Sequence, residues 1–187
     1  MLHLLNLEEI EALLLKVSPL VKRFEDRDPD FVAEVRGWLA AAEEMLGNNR
    51  MPVASEIAVY RGALISAERG FVDGLVPKSR SSARHLKEAR AANLLKRATD
   101  TVVEAIRPRR AQVDEAERLM MQIVAVADRV GLVPPELGQS HTAYLQKILQ
   151  EISNRAELTS LLVHVTGLLG NSDTLIMLDR AIGSIKR

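Results

Sequence analysis

Three aspartates, Asp26, Asp28 and Asp30, stand at i, i+2 and i+4, the spacing that opens a calcium-binding loop. Such a loop next needs a glycine for its sharp turn and a bidentate glutamate at its twelfth position. Phe31 and Gly37 occupy those places and Pro29 interrupts, so helix capping accounts for the aspartates. The four histidines, His3, His85, His141 and His164, point to no metal either. None follows a glutamate by three residues, as in di-iron bundles, and none forms the His-Glu-x-x-His pair of helical zinc sites. His164 lies beside the Leu161–Val165–Leu168 face of a helix, where a semi-buried, hydrogen-bonded histidine is expected. His141 falls in a helix first turn, open to solvent. The ten glycines form neither Gly-x-Gly-x-x-Gly nor a P-loop, and no nucleophile elbow or Ser-x-x-Lys pair occurs. No catalytic, metal or cofactor residue is assigned.

Arg80-Ser-Ser-Ala-Arg84-His85 places an arginine five residues before a histidine. This resembles the Arg-x(4–6)-His motif of the HEPN ribonucleases, helical bundles that dimerise so that paired motifs form one site. The resemblance implies a histidine that moves protons and an arginine that stabilises charge on the phosphorane. With 18 arginines and four histidines in the chain, about one such match is expected by chance. The match here also opens a helix, whereas the family's motif sits inside a later one.

Charge is the more informative signal. The chain is neutral overall, yet residues 78–110 carry 10 Lys+Arg against 3 Asp+Glu, and residues 1–77 carry 8 against 13. Clustering of this kind governs what a surface attracts. The basic residues are Lys78, Arg80, Arg84, Lys87, Arg90, Lys96, Arg97, Arg107, Arg109 and Arg110. On a helix Arg80, Arg84 and Lys87 stack on one face, with Arg90 and Arg97 on an adjoining one. Positive side chains in the first turns oppose the helix dipole, so an acidic partner is expected to offset them. Phosphates, another protein's carboxylates or the chain's own acidic helices all qualify. Arg80, Arg84, Lys87, Arg90, Arg97, Arg107, Arg109 and Arg110 are thus the candidate residues for nucleic acid or an acidic partner. The absence of aromatics between 78 and 110 argues against base stacking.

The elements that position these residues are all helices. A first helix is predicted from an N-cap at Asn6, with Leu7, Ile10, Leu14, Val17, Val21 and Phe24 on one stripe that continues, kinked, through Pro19. Asp28-Pro29 is expected to start a second helix, burying Phe31, Val35, Trp38, Ala42 and Met45 and stopping at Gly47. A third starts near Pro52, uses Ile57, Tyr60 and Leu64, and ends around Gly70, followed by an apolar connector from Phe71 to Pro77. A fourth, from about 82 to 130, holds a coiled-coil-like register. Its seam is Ala91, Leu95, Ala98, Val102, Ile106, Arg109, Val113, Ala116, Met120, Ile123, Ala127 and Val130. No residue near Pro108 caps or turns the chain, which favours one bent helix over a hairpin. The basic end before residue 91 is expected to project past the core. Shorter helices follow at about 140–153, 155–169 (capping box Asn154 and Glu157) and 173–185, capped by Ser172. No segment alternates with period two.

The expected fold is therefore an all-α, single-domain bundle of six to seven helices organised around one long, kinked helix at about 82–130. Acidic helices fill 1–77, the basic, coiled-coil-like helix spans 78–130 and C-terminal helices occupy 131–187. With 47% hydrophobic residues but 3% aromatic, the core must be aliphatic. The absence of cysteine excludes disulfides and fits a reducing compartment. The acidic start is unlike a signal peptide and no stretch of ~18 apolar residues spans a membrane, so a soluble, cytoplasmic protein is expected, and its source is expected to be bacterial. These observations lead to a non-enzymatic adaptor or complex subunit that self-associates or docks a protein partner through the long helix. The alternative is a module that binds RNA or DNA backbone phosphates without sequence readout, and the ribonuclease is a distant third. No cofactor, small molecule or membrane partner is inferred.

Overall fold

The computed structural model describes residues 2–69, 80–134 and 140–185, with 80–82 described by backbone alone. The fold is all-α. Eight helices are present among the described residues: α1 (Leu4–Leu15), α2 (Val17–Glu25), α3 (Phe31–Asn48), α4 (Ala54–Glu68), α5 (Arg80–Arg129), α6 (His141–Ser153), α7 (Ala156–Leu169) and α8 (Asn171–Ile185). There is no strand among the described residues.

The chain divides into two compact units, and the division falls inside α5. An N-terminal unit contains Leu4–Arg107, and a C-terminal unit contains Pro108–Arg187 together with His3. In the N-terminal unit, Leu7 and Ile10 of α1, Phe31, Val35 and Leu39 of α3, Ile57 and Leu64 of α4, and Ala91, Leu94 and Ala98 of α5 are fully buried. In the C-terminal unit the same role falls to Val113, Met120 and Ile123 of α5, Tyr144 and Ile148 of α6, Val165 of α7 and Leu178 of α8. No single described helix is long and apolar enough to cross a membrane. The bent pair α7–α8 passes that test by composition; its Leu158, Leu162, Val165, Leu169, Met177 and Leu178 are buried in the C-terminal unit, while Val163 is exposed.

The long helix runs unbroken through Pro108. The proline lacks an N–H for the Glu104 carbonyl, but both residues lie on the exposed face, where such a loss is best tolerated. Of the twelve seam residues, all but Val130 are buried. Gly131, at φ +75°, ends the helix, and the Leu132 N–H reaches back to the Ala127 carbonyl at 2.8 Å as in a Schellman cap.

The predicted first helix is two helices. Pro19 removes a donor from, and its ring crowds, the carbonyl of Leu15 four residues earlier, and Leu15 is the last residue of α1. Pro19 then lies in the first turn of α2, where its missing N–H costs nothing. Trp38 Nε1 donates to the Leu13 carbonyl at 2.9 Å, satisfying an acceptor at the broken end. The helix also begins at Leu4, so Asn6 is inside it and not its cap. Asp28 does not cap α3 either; its carboxylate accepts the Asp30 N–H at 2.9 Å in an Asx turn ahead of Phe31. The Asn154–Glu157 capping box is absent, because Asn154 terminates α6 and Arg155 precedes α7. Ser172 lies inside α8. Gly70 and the Phe71–Pro77 connector lie outside the described residues.

Candidate functional site

The basic start of α5 is tied to its own unit. Arg84 donates to Glu88 at 2.6 Å and to the Arg27 carbonyl at 2.9 Å, just beyond the C-terminal end of α2. Lys87 Nζ donates to the Glu68 carbonyl at 2.7 Å, the last residue of α4. Helix C-termini present unpaired carbonyls and the negative end of the dipole. Two cations that oppose the dipole of α5 thus sit where two other helices favour them. Among the described residues the expected projection past the core is not observed: Glu88, beside Arg84 and Lys87, is 9% exposed. Its carboxyl is held below the ordinary glutamate range, first by the hydrogen bond from Arg84, against the burial that pushes it up.

The other candidate cations follow the same pattern. The Arg97 guanidinium lies 5.0 Å over the Tyr60 ring, a cation–π contact. Arg107 pairs with Glu104, and Arg110 with Asp114 at 3.0 Å. Arg90 is half-buried. Arg80 is in α5 but its side chain lies outside the described residues, as does Lys78. His85 approaches Glu88 at 3.5 Å with its ring largely exposed. The arginine–histidine motif therefore acquires a carboxylate neighbour, one already engaged by Arg84. His164 is exposed, contrary to expectation, and His141 Nε2 lies 2.9 Å from a carboxylate oxygen of Asp179, which accepts. No group of three or more His, Asp or Glu placed to hold a metal occurs among the described residues.

Arg109 belongs to a different environment. Its side chain is 8% exposed and pairs at 3.0 Å with Asp173, itself 3% exposed, near the start of α8. It also donates to the Leu168 carbonyl at 2.6 Å near the end of α7, and to Gln112 at 3.3 Å. Three helices of the C-terminal unit meet on one guanidinium, whose Nε has no hydrogen-bond partner among the described residues. His3 reaches the same carboxylate at 3.4 Å. Burial removes Arg109 from the candidate phosphate-binding surface: a backbone phosphate has no access to it.

The feature that residue spacing alone did not single out is apolar. Val17, Val21 and Phe24 of α2, Phe31 of α3, and Ala92, Leu95, Lys96, Thr99 and Asp100 of α5 line a groove of about 250 Å³ within the N-terminal unit. Val17, Val21 and Phe24 belong to the apolar stripe predicted for the first helix. Val21 is 45% and Phe24 40% exposed, because the break at Lys16 leaves Leu20 as the one buried residue of α2. Phe24 rests against Phe31 with ring centroids 5.2 Å apart, and Phe31 and Leu95 form the buried floor. Lys96 and Asp100 pair at 2.7 Å on the rim.

No protein-family model matches the chain, no curated protein matches its sequence, and no solved structure matches its fold.

Proposed function

We propose that the protein is a non-enzymatic helical adaptor or complex subunit that docks a protein partner against its long helix, in the groove between α2 and α5. The observation that carries this reading is the uncovered apolar wall of Val17, Val21 and Phe24 facing Ala92 and Thr99. A half-exposed phenylalanine and two valines on one stripe cost solvation that a partner's apolar surface recovers, at ~25 cal/mol per Å². The phosphate-binding alternative is weakened by the internal engagement of Arg84, Lys87, Arg97, Arg107 and Arg110. Arg84 and Lys87 in particular would surrender backbone carbonyls on other segments before meeting a phosphate.

Comparative affinity purification from source cells tests the proposal. The wild-type chain, Val21→Lys, and a control charge at Val163→Lys on the exposed face of α7 serve as baits. A protein retained by wild type and the control but lost with Val21→Lys is the expected result. Identical protein sets from all three baits refute the adaptor. Nucleic acid bound at low salt and released steeply as salt rises would instead support phosphate binding.

A further inference from the structure

We infer that the occupant of the groove is a single amphipathic helix of a partner protein, inserting apolar anchors at i, i+3 or i+4, and i+7. The inference rests on the adaptor proposal and specifies its partner. Size selects among occupants. Along α5 the lining runs from Ala92 to Asp100 and along α2 from Val17 to Phe24. At 1.5 Å per residue both walls are roughly 11–12 Å long, two helical turns. A volume of about 250 Å³ is smaller than the ~300–1,000 Å³ of sites that enclose cofactors or drug-sized ligands. It suits a few side chains. A second folded copy of the chain needs far more: stable pairs bury ~800 Å² on each partner, and a seat two turns long supplies a small part of that.

Geometry and polarity then favour a helix over an extended strand. Both walls are helices, whose backbone groups bond along the helix and not sideways, so the groove offers no extended edge of N–H and C=O groups for β-augmentation. Its specificity must come from side chains. The floor, Phe31 and Leu95, accepts apolar anchors, while the Lys96–Asp100 pair on the rim presents both charge signs beside them. A partner helix with apolar anchors flanked by polar residues of either sign fits this pattern.

The test uses the full chain and a side-chain-stapled model helix of about 12 residues. Its leucines stand at i, i+3, i+4 and i+7 on a Gln/Lys background, and a control carries the same residues in scrambled order. Binding is followed by NMR shifts of the valine and leucine methyls. The patterned helix is expected to saturate, shift Val17, Val21 and Leu95, and bind at least about tenfold tighter than the control, a difference of ~1.4 kcal/mol. Val21→Lys and, separately, Thr99→Arg should each weaken binding about tenfold or more while the chain stays helical. Equal binding of both peptides, or shifts elsewhere, overturns the helical occupant. If purification still yields a partner lost with Val21→Lys, the adaptor stands and only its helical occupant falls. A wild-type dimer in light scattering, abolished by Val21→Lys, would assign the groove to a second copy and overturn the inference.

Discussion

The buried pair of Arg109 and Asp173 offers the sharpest energetic test of the C-terminal unit. Their side chains are 8% and 3% exposed, and the guanidinium also serves the Leu168 carbonyl. Asp173→Ala leaves the guanidinium buried without its carboxylate. Arg109→Ala withdraws the cation from Asp173 and a donor from Leu168. Removing one member of a buried pair costs about 3–5 kcal/mol, whereas replacing both with apolar groups is often neutral. Folded proteins are stable by ~5–15 kcal/mol, so either single change removes a large share. In urea, with a slope of roughly 2 kcal/mol/M, the midpoint of the C-terminal unit should fall by roughly 2 M. The double replacement Arg109→Met with Asp173→Leu should recover most of that loss. Denaturation followed by circular dichroism reads all four proteins of the cycle. Single changes that each cost less than ~1 kcal/mol, or that add without coupling, would refute this assignment.

Three further outcomes follow from the N-terminal unit and the long helix. Joint replacement Arg84→Glu and Lys87→Glu should lower stability by about 1–2 kcal/mol, discounted for exposure, by removing the donors on Arg27 and Glu68; an unchanged melting temperature would contradict those contacts. Glu88, whose carboxyl is held low by Arg84, contributes fully above the ordinary glutamate range near ~4.3. That contribution is lost as pH falls below this range, so Glu88→Gln should flatten the acid limb of a pH–stability curve, and an unaltered limb argues against it. Pro108→Ala restores an N–H to the Glu104 carbonyl and should stabilise the chain by up to ~3 kcal/mol; a lower melting temperature would show that α5 needs its proline.

Much of the helical framework is legible in the sequence, because apolar spacing reports which face of a helix is buried. Eleven seam positions of α5 are buried as their register predicts. The same register contains one charged residue, Arg109, an anomaly that signals a buried partner. The partner itself, Asp173, lies 64 residues away and no local pattern identifies it. Helix ends are less legible, since they depend on tertiary acceptors. Trp38 reaches the broken end of α1 from a different helix, and Arg84 and Lys87 find carbonyls on segments distant in the chain. The groove is half legible: Val17, Val21 and Phe24 read as one apolar stripe, but spacing does not say whether a stripe is covered by its own chain. That depends on the break at Lys16, which turns Leu20 inward and leaves Val21 and Phe24 half-open.

Site-specific photo-crosslinking asks whether this open stripe receives another protein. A photoreactive side chain placed at Val21, with a control at Val163, which is 66% exposed, is activated in source cells. The expected result is a discrete covalent adduct with one other polypeptide from position 21 and none from 163. No adduct from position 21, or an adduct that nuclease digestion removes, would rule out a protein occupant of the stripe.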